Sequence, residues 1–179
     1  MNDVTASRYS LLLRMLHWGT LLLLIAVYAT AELRGFAPDR PARAVVMQWH
    51  MAIGLLIFLL VLPRIGARLS RPTPLILPTP GRLVLLAAQA THLLLYAFLI
   101  VQPLLGLISA QSGERAVVIP LTGFTLPDLI ANNADLHEWT EEVHVALGKV
   151  FYAVIGLHAA AALAHHFYFR DNTLRRMLG

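Results

Sequence analysis

Residues 143–158 read VHVALGKVFYAVIGLH, an apolar run with a histidine near its start and another at its end, His144 and His158. They lie fourteen positions apart (158 − 144 = 14). Wound as α-helix, that interval advances about 21 Å through almost four full turns, so both imidazoles return to nearly one face. One helix would therefore present two imidazoles at two depths, near opposite sides of a bilayer. Working outward, His17 lies in the apolar run 11–31 and His50 in the run 44–62. Two further helices each supply one more imidazole.

The composition agrees with a membrane setting. Of 179 residues, 58% are hydrophobic and 13% charged, with a mean hydropathy of +0.65, which is the range of integral membrane chains. There is no cysteine, which excludes disulfides, iron–sulfur clusters, thiolate-ligated haem, covalent haem attachment and a thiol nucleophile. Segments 11–31, 44–62, 83–109 and 143–169 are each close to or above the ~20 residues needed to cross a bilayer. Backbone polar groups in lipid must pair internally and barrel-type alternation is absent, so all four read as helices. The expected fold is a single all-α membrane domain over residues 1–179, a four-helix transmembrane bundle with an outer loop at 110–142. Arg14, the apolar run and Ala29-Thr30-Ala31 imitate a cleavable signal peptide. A retained helix is preferred, because His17 and Trp18 would be out of place in a discarded segment.

Orientation follows from the basic residues. Arg8, Arg14, Arg64, Arg68, Arg71, Arg82, Arg170, Arg175 and Arg176 fall on one side, against Arg34, Arg40, Arg43, Arg115 and Lys149 on the other. The positive-inside rule puts both termini in the cytoplasm. Asp3 and Asp171 are the acids on the inner side, and the rest lie outside. This distribution explains the net charge of +4 without nucleic acid. The inner connection carries Pro72, Pro74, Pro78 and Pro80 and should be extended. In the second outer loop, Asp128 follows Pro127, and Leu129, Ile130, Leu136 and Trp139 suit short amphipathic turns at the interface.

Depth then sorts the histidines. The second and fourth helices both run inward, so His50 and His144 lie near the outer surface and can share one layer. His17, just inside the first helix, and His158, further along the fourth, can share an inner layer. Four histidines in two layers are what a pair of stacked, bis-histidine b haems requires, with iron low-spin, six-coordinate and suited to electron transfer. A lone buried histidine is more often a cross-helix hydrogen-bonding group, and His92, read as near mid-depth without a partner level, is assigned that role. One zinc ion does not fit ligands split between levels ~20 Å apart. Gly19, Ala52, Gly54, Gly148, Gly156 and Ala159 to Ala162 leave room for a flat macrocycle, and equally suit close helix packing.

His17-Trp18, Glu32-Leu33-Arg34-Gly35-Phe36, Asp39-Arg40-Pro41, Pro72-Thr73-Pro74, the run from Ile155 to His166 and Asp171-Asn172-Thr173-Leu174 are similar to the bacterial cytochrome b-561 family. The match runs nearly end to end, and within the family the chain resembles the superoxide oxidase branch. The resemblance implies two b haems, oxidation of superoxide at the periplasmic face and transfer of electrons to ubiquinone. It implies one ligand on each of the first two helices and two on the fourth, which fall on His17, His50, His144 and His158. Arg34, Arg40 and Lys149 are candidates for steering superoxide, or, for Lys149, for meeting a haem propionate. Arg14, His165 and His166 are candidates for a quinone site, where an imidazole can hydrogen-bond a carbonyl and relay a proton. No obligate protein partner is expected. Alternatives are a dihaem subunit exchanging electrons between quinone and a periplasmic redox partner, a mono-haem protein, and a non-redox membrane protein.

Overall fold

The computed structural model describes residues 8–178; Asp3 and the two chain ends lie outside them. Helix α1 spans Leu11–Leu33 and runs into a short 3-10 turn, Arg34–Phe36. Then follow α2 (Arg40–Leu69), α3 (Arg82–Ser112), α4 (Ala134–Phe167) and a final turn, α5 (Arg175–Leu178). Strands are absent among the described residues, apart from an isolated bridge between Val118 and Thr125. Helices α1 to α4 are each long and apolar enough to cross a membrane.

All four long helices outrun their apolar stretches, α2 and α4 by the most. Helix α2 starts at Arg40, because the Asp39 carboxylate accepts the Ala42 N–H at 2.8 Å and Pro41 sits where no backbone donor is needed. It also continues past Pro63 to Leu69. A proline removes one intrahelical bond, and the flanking turns hold the helix across it. Helix α4 starts at Ala134, not near 143, because Asn133 caps it by accepting the Leu136 N–H at 3.0 Å. Its acidic first turns therefore continue the transmembrane helix, and Leu136 and Trp139 belong to it. It ends at Phe167, two residues earlier than expected.

Side chains exposed on the four long helices are largely apolar, among them Leu22, Leu59, Leu93 and Leu157, as expected of surfaces that meet lipid. The buried core is small: Ile57, Val61, Phe98, Leu99 and Phe151. Phe98 and Phe151 stack with ring centroids 3.7 Å apart and planes 11° apart. Phe151 is seven residues from His144 and seven from His158 (151 − 144 = 158 − 151 = 7), so this stack separates the two histidine levels. Backbones pack closely for α1 with α2, α2 with α3 and α3 with α4. Side chains bridge α1 to α4: the Tyr28 hydroxyl donates to Gly148 O at 2.8 Å, and Tyr152 to Glu32 at 3.0 Å.

The end bearing both connections α1–α2 and α3–α4 is the loop end, and the opposite one the terminal end. At the loop end, residues 113–133 do not form amphipathic turns. They fold back as a hairpin-like segment held by two glutamines. Gln48 of α2 donates to Ala116 O (3.0 Å) and accepts from Val118 N (2.8 Å), and Gln111 of α3 likewise bonds Pro127 O and Leu129 N. At the terminal end the connection 70–81 is extended, as its prolines require. The C-terminal segment folds onto it: Asn172 donates to Leu75 O and accepts from Leu77 N. Arg176 donates to Pro74 O, and Trp18 Nε1 to Met177 O.

Candidate functional site

The bundle brings the histidines together in two cross-helix pairs. His50 of α2 faces His144 of α4 with ring centroids 6.1 Å apart. His17 of α1 faces His158 of α4 at 6.3 Å. With about 2 Å from a metal to each imidazole nitrogen and roughly 1 Å more to each ring centre, two rings across one iron lie about 6 Å apart. Both pairs match that separation.

The loop-end pair is held for this task. His50 Nδ1 lies 3.0 Å from Val27 O, and His144 Nδ1 lies 3.0 Å from Gln102 O. Each Nδ1–H is therefore donated to a carbonyl, which turns the lone pair of Nε2 toward the gap and makes it a better ligand. Between the helices here is a cavity of about 430 Å³, lined by Val27, Tyr28, His50, Gly54, Gly106, His144 and Gly148 among others. A Cβ at Gly54 would meet nothing within 4 Å, whereas one at Gly106 would lie 3.0 Å from the His144 ring. The glycines thus give open space on one side of the cavity and a flat wall on the other, a cradle for a planar group. Charged groups line it too: Arg34, Arg115 and Lys149, with Glu32 and Glu141. Of the three steering candidates, Arg34 and Lys149 reach this cavity. Arg40, exposed at the start of α2, is not among its lining residues. Arg115 joins them, a residue for which the sequence held only a basic charge in a loop.

The terminal-end pair has different surroundings. Arg64 belongs to α2 and not to the connection after it, and its Nη2 lies 3.0 Å from His17 Nδ1. His92 is not isolated at mid-depth: its ring centroid lies 5.5 Å from that of His158. The misplacement came from depth, since His92 is ten residues from the start of α3 (92 − 82 = 10) and His158 nine from the end of α4 (167 − 158 = 9). The two are level. At this end of the bundle, buried donors find no acceptor among the described residues: Nε and Nη1 of Arg14, Nε of Arg64 and Nε of Arg176. Buried guanidinium donors without partners are costly, and a b haem carries two carboxylates that satisfy such groups. The residues at both levels fit the group.

Of the two quinone-site candidates on α4, His165 has its Nδ1 on the Asp171 carboxylate, while the buried His166 Nδ1 has no partner among the described residues. Arg14, one turn before His17, is half-buried, with its Nε and Nη1 out of solvent.

A four-helix membrane bundle with two level pairs of cross-helix imidazoles is the architecture of a b-type membrane cytochrome. The prokaryotic cytochrome b561 family model matches residues 8–179. The chain is 37% identical to a probable superoxide oxidase CybB of Yersinia pestis over 96% of both chains. It is 32% identical to cytochrome b561 homolog 1 of Escherichia coli strain K12, over 96% of this chain and 97% of that one. Cytochrome b562 of Cereibacter sphaeroides is 28% identical over 95% of this chain. The chain belongs to the prokaryotic cytochrome b561 family of haem-binding, multi-pass membrane electron-transfer proteins.

Proposed function

We propose that this protein oxidises superoxide at its loop end and reduces ubiquinone near its terminal end, in a bacterial inner membrane with both termini cytoplasmic. The observation that carries the electron path is the pair of imidazole separations, 6.1 and 6.3 Å, at two levels of one bundle. His50 with His144, and His17 with His158, are the axial ligands in this reading. A b haem at each level would pass one electron at a time. The balance is two superoxide anions losing one electron each to give two O2, while one quinone gains two electrons and two protons to give quinol.

The chain's own groups supply the rest. Arg34, Arg115 and Lys149 line the cavity beside His50 and His144, where positive charge attracts a small anion. Glu32 and Glu141 line the same cavity and keep that attraction modest. At the other end, His166 is the candidate for hydrogen-bonding a quinone carbonyl, because its Nδ1 is uncommitted among the described residues. His165, oriented by Asp171, is the candidate for delivering a proton, with Arg14 at the same end of the bundle. The name of the Yersinia pestis relative supports superoxide as donor.

The test is haem stoichiometry on purified protein, then absorbance while superoxide is generated with and without ubiquinone. Two b haems per chain, reduced by superoxide and reoxidised by ubiquinone, support the reading. Two haems indifferent to superoxide but reduced by quinol would favour a subunit that serves a periplasmic redox partner.

A further inference from the structure

The two histidine pairs are alike in spacing and opposite in what holds them. At the loop end both Nδ1 atoms lie 3.0 Å from carbonyl oxygens. Such bonds make an imidazole more electron-donating, which favours ferric iron and lowers a reduction potential. At the terminal end His17 Nδ1 meets the Arg64 guanidinium at 3.0 Å. A guanidinium only donates, so His17 has no acceptor there to push electron density into its ring.

Charge around the pairs runs the same way. The loop-end cavity is lined by three cations (Arg34, Arg115, Lys149) and two carboxylates (Glu32, Glu141). At the terminal end, Arg64 touches His17, and Arg14 and Arg176 hold buried donors without acceptors among the described residues. Asp171, the acid of that segment, is already taken by His165 and Thr173. Two propionates would add the same negative charge at each level, so the difference persists. Ferric iron carries one more positive charge than ferrous. A cation held as close as Arg64 is to His17, in a medium that screens poorly, therefore favours the reduced state.

We propose that Arg64 is a positioning residue that makes the His17–His158 haem the higher-potential centre, so that electrons entering at His50–His144 run downhill to the terminal end. This rests on the reading that each pair holds one b haem. The bond to His17 cannot persist unchanged with iron on Nε2, since a neutral ring then carries its proton on Nδ1 and meets a donor. The guanidinium must turn to an acceptor while staying at this level, and it keeps its charge there.

The experiment is optical potentiometry of the haem-loaded, full-length protein and three variants. H144A retains the terminal-end haem alone, and its midpoint should coincide with the upper of the two wild-type midpoints. R64Q should shift the upper midpoint down and leave the lower in place, while R64K should restore most of the shift. A midpoint of H144A matching the lower component overturns the proposal. So does an R64Q protein with both midpoints unmoved, or with the lower one moved alone. If R64Q sheds the haem at that level, the H144A midpoint decides by the same criterion. A wild type with fewer than two haems would instead defeat the haem-pair reading, and this inference with it.

Discussion

Gly106 of α3 lies flat against the His144 imidazole of α4: a Cβ there would fall 3.0 Å from Cε1 and 3.3 Å from Nδ1. One turn earlier on α3, Gln102 O lies 3.0 Å from the His144 Nδ1. The ring is seated against α3 by a backbone with no side chain and by a carbonyl one turn away. It cannot yield to a methyl group without lengthening that hydrogen bond. G106A should therefore weaken haem retention at the loop end, and G106V, with two more carbons, should abolish it while sparing the other level. Haem per chain, read as pyridine haemochrome on purified protein, checks this. Full occupancy in G106V would mean that His144 is not a ligand.

The i, i+14 spacing of His144 and His158 made both levels legible in the sequence, because a helix face is a matter of counting. Arg64 and His92 were not legible for the same reason turned around. Pro63 reads as a helix end, and the helix runs through it to Leu69. His92 has no partner along its own helix, and His158, its neighbour at 5.5 Å, lies on another. The loop that covers the loop end depends on Gln48 and Gln111, whose side chains bond backbone 16 to 70 residues away, and no local pattern announces that.

Phe98 and Phe151 make a testable partition between the levels. In lipid the transfer of apolar surface contributes little to helix association, so packing is what a truncation removes. Taking roughly 100 Å³ from F151A at about 24 cal/mol per Å³ of cavity gives a loss of about 2 kcal/mol. Denaturant unfolding in detergent micelles should show it. F151L, which refills most of the volume, should recover more than half. Equal losses for the two variants would mean that stacking, not volume, is what matters.

Asp171 gives the terminal end a pH dependence. Burial pushes its carboxyl up, but hydrogen bonds from the Thr173 backbone and from His165 outweigh that and leave it below the ordinary carboxylate value. A carboxyl that holds its proton less tightly when folded contributes stability above its unfolded pKa of about 3.9, and loses it as pH falls through the folded value. D171N should thus lower Tm at pH 5–7 by an amount corresponding to about 1–3 kcal/mol, the loss expected for charge-assisted bonds. The gap to wild type should close as the pH drops below about 4. Thermal melts across pH 3–7 measure it. A gap that stays constant to pH 3 would show that Asp171 acts through shape alone.

The charges at the loop-end cavity predict signs in opposite directions. Arg34, Arg115 and Lys149 line it with Glu32 and Glu141. If positive charge steers superoxide, K149Q and R34Q should each slow haem reduction by superoxide severalfold at low ionic strength. E141Q should speed it. All the differences should shrink as salt brings the Debye length from about 30 Å at 0.01 M to about 10 Å at 0.1 M. R40Q is the comparison, since Arg40 lies outside the cavity lining and its removal should change the rate and its salt dependence least. Stopped-flow reduction under a steady superoxide source resolves these rates. If E141Q and K149Q moved the rate in the same direction, the effect would be one of local structure, and steering by these side chains would have to be abandoned.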